Sequence, residues 1–86
     1  RFVDVREPDE WAGELPAVPR AERVPLARVA TDAASWDKNE PVVLVCRSGG
    51  RSGKAAMELL ALGFTRVASV RGGMTRWHRE RLSAAA

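Results

Sequence analysis

The residues able to do chemistry in this 86-residue chain concentrate in one stretch, Val42-Val43-Leu44-Val45-Cys46-Arg47-Ser48-Gly49-Gly50-Arg51-Ser52. The only cysteine stands where an apolar run stops and a run of arginine, serine and glycine begins. A cysteine closing a buried strand is ordinarily a small core residue. A core cysteine, however, needs neither an arginine on each side nor a glycine pair. Glycines permit positive φ and close backbone approach, so the segment Arg47-Ser48-Gly49-Gly50-Arg51 is able to turn several N–H groups toward the sulfur. Those amides, the N-terminus of a following helix and the two arginines would lower the thiol pKa from about 8.5 toward the roughly 3.5–7.5 range of activated cysteines. Such a sulfur is a nucleophile.

Other polar residues are read around that centre. Asp4 ends a short apolar stretch and is expected to be structural, accepting backbone or arginine hydrogen bonds. Arg6 and Glu7 follow it on the same side of the sheet as Cys46, and are expected either to support the loop through an ion pair with Arg47 or Arg51 or to be simple surface charges. His78, the only histidine, sits among Arg76, Arg79 and Arg81 and is expected to face solvent. One cysteine and one histidine without a ligand spacing do not make a metal site, so no metal is expected. Met74 is read as a core residue behind the Gly72-Gly73 turn rather than part of a pocket mouth. Trp11 and Trp77 are read as core or rim packing, and Trp36 as packing at a helix end.

The elements that must position these residues alternate. Phe2-Val3-Asp4-Val5 reads as a strand. Pro8 suits the first turn of a short helix with Asp9 and Glu10 at its positive end, and Gly13 stops it. Residues 14–23, with Pro16 and Pro19, read as an irregular connection into a short strand at Glu22-Arg23-Val24. Leu26, Val29, Ala30 and Ala33 predict a helix over 26–35. Val42 to Val45 are apolar without alternation, the pattern of a strand covered on both faces. A helix is predicted over 52–62, capped by Gly63. Arg66 to Val70 reads as a strand, and residues 74–82 as a terminal helix burying Trp77. This order predicts an α/β domain with a mostly parallel sheet of four to five strands, helices on both faces and right-handed crossovers. In such a sheet ligands bind beyond the carboxyl ends of the strands, where Cys46 lies.

Composition narrows the function classes. At 9.4 kDa the chain fits one domain over residues 1–86. No apolar run approaches the about 20 residues that cross a membrane. A lone cysteine gives no disulfide framework, which favours a reducing, cytoplasmic compartment. The net charge of +3 is uneven, with nine acidic and six basic side chains over residues 1–40 and two acidic and eight basic over residues 41–86. The basic residues are spread singly without interleaved aromatics, so a nucleic-acid partner is not expected. A positive field around an anion site accounts for the asymmetry.

Four pieces in order give the chain a resemblance to rhodanese (thiosulfate sulfurtransferase) domains. Asp4-Val5-Arg6-Glu7 with Glu10-Trp11 resembles the family's Asp-x-Arg opening, and Cys46 to Ser52 resembles its active-site loop. Leu62-Gly63-Phe64 is similar to the end of the helix behind that loop, and Gly72-Gly73-Met74 with Trp77 resembles the closing Gly-Gly-x-x-x-Trp signature. The resemblance implies that Cys46 takes a sulfane sulfur from a small anionic donor such as thiosulfate and passes it as a persulfide to cyanide or a thiol. It implies that the amides of Arg47, Ser48, Gly49, Gly50, Arg51 and Ser52 hold the persulfide, as preorganised donors hold an oxyanion. Arg47 and Arg51 would attract and orient the donor, with Arg51 counted beside Cys46 as catalytic.

Two rival readings differ in class. Cysteine-dependent phosphatases and arsenate reductases of similar fold place five residues between nucleophile and arginine, whereas four separate Cys46 from Arg51. A module relaying sulfur to a partner protein, with little turnover of free thiosulfate, is the other. Three departures from the family pattern stand out. Gly13-Glu14-Leu15-Pro16-Ala17-Val18 replaces Gly-His-Ile-Pro-Gly-Ala, Gly50 replaces a commoner asparagine and is expected to loosen the loop, and the family's leading strand and helix are expected to be missing.

Overall fold

The computed structural model describes residues 1–80. Four strands, β1 (Phe2–Asp4), β2 (Glu22–Arg23), β3 (Val42–Val45) and β4 (Val67–Ser69), alternate with four helices, α1 (Pro8–Trp11), α2 (Leu26–Ala33), α3 (Gly50–Ala61) and α4 (Gly73–Arg79). All strand pairs are parallel, in the order β2-β1-β3-β4. The sheet is therefore of the expected α/β kind, with β3 central. Its apolar run is explained by its place, since Val42 and Leu44 enter one core and Val45 the other. Helices α2 and α3 close the first core over Val3, Val5, Leu44 and Cys46, with Val29, Ala33, Ala55 and Leu59 pointing inward. Met74 and Trp77 of α4 close the second with Val18 and Ala21 of the connection before β2. Helices thus lie on both faces.

Boundaries differ from the sequence expectation by one or two residues, for local reasons. Helix α3 begins at Gly50 rather than residue 52, because Gly49 at φ 120° turns the chain and its carbonyl accepts the Gly53 N–H at 2.9 Å. Strand β4 is shorter than residues 66–70, although Arg66 and Val70 still exchange hydrogen bonds with Val42 and Leu44. Helix α2 ends at Ala33 rather than residue 35. Helix α4 ends at Arg79 with Glu80 as its C-cap, and the rest of its predicted extension, residues 81–82, lies outside the described residues with the alanine tail. Trp36 packs edge-on to Phe64 with centroids 6.3 Å apart, and Trp77 edge-on to Phe2 at 5.4 Å, so both tryptophans pack as expected. Among the described residues no helix is long and apolar enough to cross a membrane.

Candidate active site

Strand β3 delivers Cys46 to the carboxyl end of the sheet, where the chain turns directly into α3. The side chain is almost fully buried. Its Sγ accepts the Gly49 N–H at 3.1 Å and lies 3.4 Å from Ser52 Oγ. Burial alone would raise the thiol pKa. The Ser52 hydroxyl and the backbone N–H groups of Ser52, Gly49 and Ser48 outweigh it, and the pKa lies below its ordinary value. The predicted convergence of loop amides on sulfur is present.

The start of this loop is braced by a part of the chain that the sequence reading gave only a packing role. The N–H groups of Met74 and Thr75 in α4 bind the carbonyls of Cys46 and Arg47 at 2.7 and 3.0 Å. Because N–H and C=O of one planar trans peptide point opposite ways, these two bonds turn the Arg47 and Ser48 N–H groups away from α4. The approach is so close that a Cβ on Gly73, at φ 56°, would sit 2.3 Å from the Cys46 carbonyl oxygen. Gly73 and Met74 are buried behind the loop and do not line a pocket mouth. Gly50, by contrast, has open space around it and lies in the first turn of α3. A larger residue would fit at this position, the first of α3.

The arginines are held differently from each other. Arg51 makes a bidentate pair with Glu10 at 2.7 and 2.9 Å, and its guanidinium holds the Glu10 carboxyl at a pKa of about 2. Arg47 is half exposed and reaches only the exposed Glu14, at 3.6 Å. The expected support from Arg6 and Glu7 needs correction. Arg6 is wholly buried and binds Asp4 through Nε and Nη2, the latter at 2.8 Å, and the Leu15 carbonyl through Nη1 at 2.7 Å. It braces the connection after α1 and forms no pair in the loop. Asp4 is its structural partner, as expected. Glu7 forms no ion pair with either loop arginine, and instead its N–H donates to Glu10 Oε1 at 3.0 Å, orienting the carboxylate that holds Arg51. Glu10 is the residue the sequence reading missed. A carboxylate in the first turn after β1, at the same sheet end as the β3–α3 loop, was the available signal. His78 is also corrected, being half-buried with Nε2 donating to the Pro16 carbonyl at 2.8 Å.

Ser48 lies exposed at the outer turn of the loop and Ser52 is fully buried beneath it. Beside the loop, between α2 and α3, runs a groove of about 740 Å³ lined by Leu26, Ala30, Lys54, Glu58 and Leu62, with Arg51 and Glu7 at one end. Among the described residues no group of three or more histidine, cysteine, aspartate and glutamate side chains is gathered to hold a metal ion.

A buried cysteine thus stands one residue past β3, with its Sγ accepting a backbone N–H from the turn into α3. The rhodanese-like domain profile matches residues 1–80. The chain belongs to the rhodanese-like domain family. It is 36% identical over 81 residues to a sulfurtransferase of Allochromatium vinosum, covering 94% of this chain and 74% of that one. A putative sulfur carrier protein of Bacillus subtilis, YrkF, is 35% identical over 76 residues, covering 88% of this chain and 40% of that protein. Among solved structures, a rhodanese with anions from E. coli superposes with a TM-score of 0.74 at 34% identity, covering 86% of each chain. This rhodanese-like chain thus has relatives named as sulfurtransferases and spans under half the length of the carrier relative.

Proposed function

We propose that this rhodanese-like chain is a sulfurtransferase working through a persulfide on Cys46. The observation that carries the reading is the buried Cys46 Sγ, which accepts the Gly49 N–H and lies 3.4 Å from the Ser52 hydroxyl, in a loop whose Cys46 and Arg47 carbonyls are bound by α4. The Cys46 thiolate attacks the outer sulfur of thiosulfate, the S–S bond breaks, and sulfite leaves with the bonding pair. Cyanide or a thiolate then attacks the terminal sulfur of the persulfide, giving thiocyanate or a new persulfide and restoring the Cys46 thiolate. The loop amides stabilise the sulfur anion before and after transfer. Arg47, loosely held at the rim, meets the anionic donor, whereas Arg51, held at both Nη atoms by Glu10, fixes the loop and adds positive potential. The cycle needs a reduced thiol, which fits a cytoplasmic setting.

Two features weigh against phosphate chemistry. Only four residues separate Cys46 from Arg51, and Arg51 is engaged by Glu10 instead of reaching over the sulfur. A protein acceptor is a specific second reading, favoured by the relative named as a putative sulfur carrier protein. The test is intact mass before and after thiosulfate, on the wild type and Cys46→Ser, followed by a cyanide chase. Addition of one sulfur to the wild type only, discharged as thiocyanate, is expected. A folded wild type that takes up no sulfur from thiosulfate would overturn the small-donor cycle and leave transfer from a protein persulfide as the reaction to assay.

A further inference from the structure

Ser52 Oγ is fully buried and meets three groups: Cys46 Sγ at 3.4 Å, the Gly49 carbonyl at 3.3 Å and Ser69 Oγ at 2.7 Å. A hydroxyl has one proton to give and two lone pairs to receive. When Cys46 is a neutral thiol, its S–H points at Ser52 and the Ser52 proton goes to the Gly49 carbonyl or to Ser69. When the sulfur is an anion, that arrangement fails, because Sγ then has only lone pairs. The Ser52 proton must turn to the sulfur, where a charge-assisted bond is about twice as strong as a neutral one. Its vacated lone pair then faces Ser69.

Ser69 occupies the last position of β4, beside Leu44 in the sheet register and on the face that packs against α3. That face is otherwise apolar, with Val67 two residues earlier against the same core. Ser69 is itself half-buried, and a hydroxyl set among apolar neighbours favours a hydrogen-bond partner. Among the described residues its side chain bonds only Ser52. We infer that Ser69 is a positioning residue of the sulfur site: its hydroxyl donates to Ser52 Oγ and so commits the Ser52 proton to the Cys46 anion. Ser69 never touches the substrate. The chain Ser69→Ser52→Cys46 reverses when the thiol is protonated, and each link polarises the next. This inference rests on the reading of Cys46 as a nucleophile and deepens it.

The measurement is the pH titration of the thiolate ultraviolet absorbance, with iodoacetamide alkylation rates alongside, in the wild type, Ser69→Ala, Ser69→Thr, Ser52→Ala and the Ser52→Ala/Ser69→Ala double variant. Ser69→Ala is expected to raise the midpoint by about half a pH unit and slow alkylation about threefold below it. Ser69→Thr, which keeps the hydroxyl, is expected to restore both. In the Ser52→Ala background the Ser69 change is expected to add nothing, an outcome that a purely structural role would not produce. An unmoved midpoint in folded Ser69→Ala, or an equal shift with and without Ser52, would overturn the inference. Should Ser69→Ala fail to fold, Ser69→Val against Ser69→Thr repeats the test with side chains of one shape. A shifted midpoint without sulfur uptake from thiosulfate keeps the role of Ser69 and removes the small-donor cycle. Uptake with an unmoved midpoint does the reverse.

Discussion

Two glycine pairs flank the sulfur, and they do unlike work. In Gly49-Gly50 only the first is conformationally required. Gly49 at φ 120° reverses the chain so that its N–H faces Sγ, whereas Gly50 is helical, with nothing within 4 Å of an added Cβ. In Gly72-Gly73 both sit at positive φ, and both have neighbours that a Cβ would strike. The second pair is therefore the more restricted, although it contributes no atom to the sulfur. One pair shapes the cradle and the other lets α4 come close enough to hold it open. Chemical proximity to the nucleophile and sensitivity to substitution are thus separate properties in this fold.

Substitutions rank the difference. Gly73→Ala should have the largest effect, since its Cβ would meet Cys46 and Arg47 backbone atoms at 2.3–2.6 Å. A loss of more than about 3 kcal/mol is expected, from overpacking against atoms that cannot swing away. Thermal melting should fall by at least about 12 °C, and sulfur uptake should vanish with it. A near-wild-type melting curve would break the contrast.

Gly49→Ala comes next. Its Cβ has space, the nearest atom being Gly72 N at 3.9 Å, but φ 120° is strained for any L side chain. A cost of about 1–2 kcal/mol is expected, with alkylation of Cys46 slowed more than that modest cost suggests, because relaxation of the peptide withdraws its N–H from Sγ. Equal alkylation rates in Gly49→Ala and wild type would show that this amide does not set reactivity. Gly50→Ala should be smallest and opposite in sign, stabilising by about 0.5–1 kcal/mol as an alanine replaces glycine within a helical turn. Chemical denaturation with activity assayed in parallel tests it, and a destabilised Gly50→Ala would erase the distinction within the first pair.

These rankings also mark what was legible in the sequence. The unalternating Val42–Val45 run, the apolar stripe of α3 and the alternation of elements were enough for a parallel sheet with Cys46 at its carboxyl end. The turn from Cys46 through Gly49 into a helix followed from residue types alone, because those signals are local. The rest depends on contacts between distant segments. Glu10 pairs with Arg51 across 41 positions, and Ser69 meets Ser52 across 17. Neither spacing carries a local signature, and a short helix with two acidic residues reads equally well as dipole compensation. Arg6 was misread for a related reason. A charged residue beside an active strand suggests the surface, whereas its burial follows from Asp4 two residues earlier, which satisfies the guanidinium inside the fold. The Gly72-Gly73 turn was visible, but its tightness against the cradle was not, since a turn signal says nothing about what approaches it.

The bonds from Met74 and Thr75 to the Cys46 and Arg47 carbonyls have a consequence in time. A chain leaves the ribosome from its N-terminus, so β1, β3 and the loop appear before α4 does. Until Gly73 to Arg79 have emerged, the Cys46 and Arg47 carbonyls lack the Met74 and Thr75 amides that bind them in the folded chain, and the loop goes without that brace. If Cys46 works as the proposed nucleophile, its cradle is complete only once α4 has docked behind it.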